Sequence, residues 1–304
     1  ETGLVYGTAS DLSDGVSAEI TQSPAQEGYL SNKVTLEGLK PGTTYYYQVS
    51  GKETASFTTD DDTCDFSFIF VGDPQIGSSN EEKAKTPEDI QKPTFLTAQS
   101  EAVRNDTFNW NYTLNRAYAK TGNTANFILS SGDQIQTNAE KVQDGTISET
   151  EYAGYLSPDL MKKVPVATTV GNHDADNANY TYHFNPANMS ELGDNGYVGG
   201  DYYFTYGDAL FIILNTQDTN VSEHKQFIEE TVNANKDCKW RIVTLHQDIY
   251  GSAEHSNEPE ITNLRYSLVP IFEENDVDIV LTGHDHAYSR TKILKGGHST
   301  TGFE

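Results

Sequence analysis

The chain has 304 residues, 36% of them hydrophobic, with a mean hydropathy of −0.60 and a formal charge of −25 from 45 acidic and 20 basic side chains. That length allows one large core and a small companion domain, while apolar runs of only strand length exclude a membrane-spanning helix. So negative a surface repels phosphodiester backbones, which excludes bulk nucleic-acid binding. The chain opens ETGLVYG, with neither a basic n-region nor an apolar h-region, so a leader is absent or already removed. An acidic excess of this size fits a secreted or cell-surface protein.

Residues 1–60 have a texture of their own. LVYGTA, SAEITQ, KVTLEGL, TTYYYQVSG and ETASFTT alternate apolar and polar residues between Gly, Pro and Ser turns, with no helical period. The stretch VTLEGLKPGTTYYYQVSG (34–51) resembles the strand–corner–strand segment of fibronectin type III domains. A full sandwich of that kind takes roughly 100 residues, so a shorter, truncated version is expected here. The acidic run DDD (60–62) links it to a second domain over 61–304.

In that second domain strands alternate with helical stretches, the pattern of an α/β fold. TPEDI (86–90) reads as a helix start, and 106–120 and 222–236 read as amphipathic helices. A further helix over 262–276 is expected to start or break at Pro270. Long insertions at 76–105 and 136–163 are where substrate selection is expected. Glycosylation sequons begin at Asn105, Asn111, Asn179, Asn188 and Asn220 and would fit surface loops in a secretory eukaryote. Cys64 and Cys238 each precede a strand; parallel strands starting at one height would bring them within disulfide range, and two separate thiols are the other reading.

Five short motifs carry the chemistry: GDPQ (72–75), GDQIQ (132–136), GNHD (171–174), LHQ (245–247) and GHDH (283–286). Each follows an apolar run rich in β-branched or aromatic residues, the shortest being VPVATTV before GNHD. Buried strands of this kind bring the polar residues at their ends to one rim of a sheet. Carboxylate oxygens with imidazole nitrogens suit Zn²⁺, Mn²⁺ or Fe, and no cysteine enters any motif, which argues against a structural zinc. Two cations about 3.5–4 Å apart need a bridging carboxylate. Asp133, between the other motifs in the chain, is the candidate bridge. Asn172 offers a neutral amide oxygen. His284 and His286 would face the same way on an extended strand, and a turn there lets each serve a different metal. Singly, a Gly-Asp is a common turn and a strand-end histidine a common core residue. Five such motifs in order point to a metal site.

Together these motifs resemble the calcineurin-like metallophosphoesterases, in particular the purple acid phosphatase branch with its fibronectin-like N-terminal domain. GHDHAYSR (283–290) is similar to that branch's last motif, and EHKQFIEETVNANKDCKWRIVTLH (223–246) to its helix-then-strand run into the fourth. The resemblance implies an α/β fold in which a two-sheet β-sandwich is flanked by helices. It implies two metal ions, divalent or mixed-valence and drawn from Fe, Zn and Mn. Asp73, Asp133 and His286 would hold one, and Asp133, Asn172, His246 and His284 the other. The implied reaction is hydrolysis of a small phosphorylated substrate, a phosphate monoester first, by attack of a metal-bound hydroxide. A diesterase or nucleotide pyrophosphatase on the same site is the alternative within enzymes. A binding module with a decayed metal site is the alternative from another class.

Two positions depart from the family pattern. Purple acid phosphatases end GDxxY with an Fe³⁺-binding tyrosine, and Gln136 stands there. Other calcineurin-like enzymes carry a histidine two residues after the first aspartate, where Gln75 could ligate through its amide oxygen or leave the place to water. His173, inside GNHD, is the first candidate for phosphate contact or proton donation, with Asp174 or another acid orienting it. His255, whose spacing from His246 resembles the loop histidine of plant-type enzymes, is the second; an exposed loop residue is its other reading. Arg290 is read as an ion-pair partner or a substrate contact. His183, His224 and His298 match no motif, and His224 is expected to sit solvated at a helix start.

Overall fold

Six short strands build the N-terminal region of the computed structural model, which describes residues 3–61, 63–82, 84, 86, 88–136, 145–175, 178–296 and 298–299. They are β1 (Leu4–Gly7), β2 (Val16–Ser17), β3 (Thr21–Pro24), β4 (Leu30–Lys33), β5 (Thr44–Val49) and β6 (Ala55–Thr58). An antiparallel sheet has the order β2-β1-β5-β6, and β3 and β4 pair separately. Tyr45 is its buried anchor: the ring stacks on Phe57 at 5.9 Å, and the hydroxyl accepts the Lys40 N–H (3.0 Å) at the turn before β5. Ser31 donates to the Tyr182 carbonyl (2.7 Å) and Tyr47 to that of Lys162 (2.9 Å), which ties this region to the larger one.

Two sheets form the larger region. β7 (Phe68–Val71), β8 (Phe127–Ser130) and β9 (Val166–Thr168) are parallel, in that order. Helix α1 (Pro93–Lys120) joins the first two, and α2 (Gly145–Leu156) lies between β8 and β9. After the short α3 (Asn179–His183), the second sheet has the order β10 (Tyr202–Tyr206), β11 (Ala209–Ile213), β12 (Trp240–Thr244), β13 (Ile279–Leu281). Its first pair is antiparallel and the others are parallel, with α4 (Val221–Ala234) and α5 (Pro259–Glu274) as crossovers. A last pair, β14 (Leu294–Lys295) with β15 (His298–Ser299), comes after β13.

Strand alternation sets the layers. Phe127 and Leu129 of β8 meet Phe211, Ile213 and Ile242 of the other sheet, whereas Ile128 turns to a cluster containing Trp110 and Leu114 of α1 and Tyr152 and Tyr155 of α2. On the far side, Leu210, Ile212 and Val243 face Phe227, Ile228, Leu264 and Leu268 of α4 and α5. Each such side chain, fully buried, contributes about 1.5–3 kcal/mol. The result is the expected two-sheet β-sandwich flanked by helices.

Two sequence expectations change, and of the two readings for the cysteines the structure has the separate thiols. Pro93 at the first helical position starts α1 well before residue 106, so much of the expected insertion is helix, and TPEDI contributes only a 3-10 turn, Asp89–Gln91. Pro270 lies inside α5 without ending it: both Pro270 and Tyr266 are exposed, so the carbonyl its missing N–H leaves free can reach water. Part of the second insertion, residues 137–144, lies outside the described residues.

Candidate metal centre

Every motif sits just past the C-terminal end of a parallel strand, Asp73 after β7, Asp133 after β8, Asn172 after β9, His246 after β12, and His284 and His286 after β13. The first two loops run side by side because the ladder between β7 and β8 continues through them. The Asp73 N–H donates to the Gly132 carbonyl (3.1 Å), the Gln75 N–H to that of Asp133 (3.0 Å), and Ile76 pairs with Ile135. Asp73, Gln75, Asp133, His284 and His286 all hold positive φ, from 38° to 71°. Such backbone costs on the order of 1 kcal/mol for a residue with a Cβ, and here it turns the site side chains back over the rim. Close approach also fixes two glycines: a Cβ on Gly132 would lie 2.6 Å from His246 Nδ1, and one on Gly171 2.0 Å from Asp133 Oδ1.

His246 is the hub of the first donor group. Its ring is fully buried, and Nδ1 lies 2.9 Å from the Ser131 carbonyl. A carbonyl only accepts, so Nδ1 carries the hydrogen and Nε2 is the atom offered to the pocket. Around Nε2 stand Asn172 Oδ1 at 3.0 Å, His284 Nδ1 at 3.2 Å and Asp133 Oδ2 at 3.4 Å. Donors bound to one cation at 2.0–2.2 Å stand roughly 3–3.6 Å apart, and each of these three lies from Nε2 at a separation in that range. Burial works against a charge on His246, but Asp133 and then Asp73 lift its pKa above the ordinary imidazole value. Burial likewise opposes the Asp133 charge, yet His246 and His173 hold that carboxyl below its usual range. Burial, with His246 and His255 nearby, pushes His284 down to about 4, which keeps it a neutral ligand.

The second group is looser. Asp73 Oδ1 is 3.6 Å from His286 Nε2, and the His286 side chain is 55% exposed. The Asp73 carboxylate also accepts the His284 N–H, at 3.0 and 3.1 Å, which fixes its orientation. Burial raises the Asp73 pKa against the pull of His246, and Asp133 adds to the rise. Gln75 turns its amide nitrogen, not its oxygen, toward the cluster and donates to Asp133 Oδ2 at 3.4 Å. Ligation by Gln75 therefore requires the amide to turn over.

His173 borders the pocket: its N–H donates to Asp133 Oδ1 (2.9 Å), and Nε2 lies 3.9 Å from Asp133 Oδ2. Among the described residues its ring is oriented by the Gln136 carbonyl, 2.6 Å from Nδ1, rather than by Asp174. Asp174 is fully buried and does structural work, accepting from Gly171 N–H (3.0 Å), Gln134 N–H (3.4 Å) and the Tyr152 hydroxyl (3.0 Å). Burial, reinforced by Asp133, raises its pKa well above the carboxylate range. His255 stands at the mouth, 39% exposed, its ring centroid 4.5 Å from that of His284 and its Nδ1 2.9 Å from Glu258 Oε1. The Glu258 contact outweighs burial and raises the His255 pKa.

Sequence reasoning missed two residues here. Asp285, between the two histidines of the last motif, is buried and accepts the N–H groups of Ala253 (2.7 Å) and His255 (2.9 Å). Glu258 was passed over although it follows His255 at the spacing at which helical side chains meet. Other residues also differ from expectation. His224 is not solvated: it is completely buried, with Nδ1 2.7 Å from Asp201 Oδ2 and Nε2 3.0 Å from the Asp218 carbonyl. His183 ends α3 with Nε2 3.1 Å from both Glu149 oxygens. Asn179 is buried and donates to Glu149 (2.7 Å), so its sequon is not on a surface loop. Arg290 is exposed and enters no ion pair among the described residues, and the His298 side chain lies outside them. A cavity of about 500 Å³ lined by Phe57, Phe127, Phe184 and Tyr202 lies away from the rim and contains no donor cluster of this kind.

The chain belongs to the calcineurin-like phosphoesterase family, whose profile matches residues 66–288, and the N-terminal domain profile of purple acid phosphatases matches residues 2–60. Probable purple acid phosphatase 20 of Arabidopsis thaliana is 26% identical over 94% of this chain and 62% of its own length. Purple acid phosphatase 4 of the same plant is 28% identical over 53% of this chain and 52% of its own length. The chain thus spans less than two thirds of these relatives. Among solved structures, a dimetal phosphatase from Danio rerio aligns with 73% of this chain and 82% of its own, at 12% identity and a TM-score of 0.43. Among the described residues no helix is long and apolar enough to cross a membrane.

Proposed function

We propose that this chain is a two-metal phosphoesterase that hydrolyses small phosphate monoesters. The observation that supports it best is the convergence on His246 Nε2 of Asn172, His284 and Asp133, at 3.0, 3.2 and 3.4 Å. These residues would hold one ion, and Asp73, Asp133 and His286 the other, with Gln75 beside Asp133. Fe, Zn or Mn all suit the donor set. Bound there, the ions would neutralise phosphoryl charge and lower the pKa of water toward 7. Asp133, whose Oδ1 accepts the His173 N–H and whose Oδ2 lies near both His246 Nε2 and the Gln75 amide, would be the ligand shared by the two ions.

The protein's own groups supply the rest. His173, with Nδ1 on the Gln136 carbonyl and Nε2 3.9 Å from Asp133 Oδ2, stands beside the pocket as the contact for a phosphate oxygen. His255, held through Nδ1 by Glu258 at the mouth of the pocket, would be the group that gives a proton to the leaving alkoxide. The excess negative charge of the chain favours compact substrates with one terminal phosphate over polyanionic strands.

The test compares p-nitrophenyl phosphate with bis-p-nitrophenyl phosphate, each with added Mn²⁺ or Zn²⁺, for the wild type and Asp133→Ala. Faster turnover of the monoester, abolished by the substitution in a folded protein, is expected. A preference for the diester would replace this reading with a diesterase. Turnover retained in Asp133→Ala would remove Asp133 as the shared ligand.

A further inference from the structure

Outside the pocket around His246 a second set of metal donors lies at its mouth. His255, Glu258 and His284 each offer one ligand atom, and all three atoms lie within 4.8 Å of one another. Glu258 Oε1 is 2.9 Å from His255 Nδ1, and the rings of His255 and His284 are inclined at 37° with centroids 4.5 Å apart. The exposure differs from that of the inner group: the His255 and Glu258 side chains are 39% and 48% exposed, whereas His246 and Asp133 are at 0% and 2%. An ion from solution can reach the outer set directly.

Two imidazole nitrogens and one carboxylate oxygen form the donor set of open three-ligand zinc sites, in which water fills the remaining position. Mg²⁺ prefers oxygen ligands throughout and suits this set poorly. Donors of one zinc stand about 3.3 Å apart, so His255 and Glu258 have to close in by an ångström or so, which their exposure permits. Glu254 and Asp285 add negative charge around His255, which favours a cation there. His284 lies between the two sets, its ring 5.0 Å from His246 and 4.5 Å from His255.

We propose that His255, Glu258 and His284 form a second, weaker zinc site at the mouth of the pocket, sharing His284 with the inner group, and that its filling at excess zinc stops turnover. Binding takes no new covalent chemistry: the proton shared between His255 and Glu258 leaves to solvent and frees two lone pairs, and His284, whose Nδ1 faces His246, offers its other ring nitrogen, which releases its proton to solvent as it binds. The ion then stands at the mouth of the pocket and blocks the approach of substrate. The inhibitory consequence rests on the phosphoesterase reading; the binding itself does not.

Zinc alone is the probe, titrated calorimetrically and by equilibrium dialysis into the wild type, Glu258→Gln and His255→Ala, with Mg²⁺ as control. We expect each variant to bind one Zn²⁺ fewer per chain than the wild type, the missing step being the weakest. Because His284 is common to both donor sets, the inner stoichiometry is measured for each variant alongside, and melting curves check that the exposed substitutions leave the fold intact. Asp133→Ala should keep the weak step. With p-nitrophenyl phosphate, wild-type activity should rise and then fall as zinc increases, and in Glu258→Gln, scaled to its own maximum, the fall should need at least tenfold more zinc. Equal stoichiometry and affinity in wild type and Glu258→Gln would overturn the site, as would loss of the weak step in Asp133→Ala. Absence of all phosphoester hydrolysis would sink the enzyme reading while the titrations still decided the binding site.

Discussion

Asp285 Oδ1 accepts the backbone N–H of His255 at 2.9 Å, and its other oxygen accepts that of Ala253 at 2.7 Å. A residue between two proposed metal ligands thus holds the loop that carries the proposed proton donor. Gly251 permits the loop to pack this closely on Asp285, because a Cβ there would overlap Asp285 Oδ2.

Removing that anchor should mimic removal of His255 without emptying the inner pocket. We expect Asp285→Ala and His255→Ala to lose roughly 10²-fold in kcat on alkyl phosphates, the scale of general acid catalysis. The loss should be much smaller on p-nitrophenyl phosphate, whose leaving group needs no proton. Steady-state kinetics over a series of leaving groups, beside metal analysis, checks this. A uniform loss across the series would assign His255 to binding instead.

The two halves of the centre should differ in affinity. His246, Asn172, His284 and Asp133 are packed around one point, whereas His286 is 55% exposed and Gln75 presents an amide N–H. Chelation followed by stepwise titration should therefore show one tight and one weaker inner site. His286→Ala is expected to keep the tight ion and lose the weak one, and His246→Ala to lose the tight one. Simultaneous loss of both ions in His286→Ala would contradict the asymmetry.

Gln75→His tests the weak half from the other direction. An imidazole replaces an amide whose nitrogen faces Asp133 Oδ2 at 3.4 Å. It adds a donor where the family pattern has one, so the weak inner ion should bind at least tenfold more tightly. Calorimetry at fixed pH measures this. Unchanged affinity would mean that the Gln75 position does not reach the ion.

The rim on which the five motifs meet was legible in the sequence because its parts are local. A β-strand followed by Gly-Asp or Gly-His states both where the chain is buried and what stands at its end, and parallel strands bring such ends to one rim. What was not legible depends on contacts between distant segments. Asp201 and His224 are 23 positions apart and buried together, and nothing near His224 in the helix start announces its partner. The Gln136 carbonyl that orients His173 is a backbone group, which no side-chain pattern encodes. Pro270 misled for a similar reason: whether a proline breaks a helix depends on whether the freed carbonyl meets water or core.

The buried His224–Asp201 pair gives a prediction about stability rather than turnover. Both side chains are inaccessible, and Asp201 also accepts the Asn215 N–H at 2.8 Å, so the pair joins the start of α4 to the end of β11. Removing one partner strands the other, so His224→Ala should cost about 3–5 kcal/mol. The pH dependence comes from two shifts with the same sign. Burial raises the Asp201 pKa, partly offset by His224, and for His224 the bond to Asp201 prevails over burial and raises its pKa too. The folded chain therefore binds protons here more tightly than the unfolded chain, and the pair's contribution falls as pH rises. For His224 that contribution is complete below the unfolded value of about 6.5 and is lost as pH climbs through the higher folded value. Denaturant unfolding in chelator from pH 5 to 9 should show the wild type losing stability relative to Asp201→Asn/His224→Gln across that range. A gap that widened in favour of the wild type at high pH would mean the pair is not proton-linked in this way.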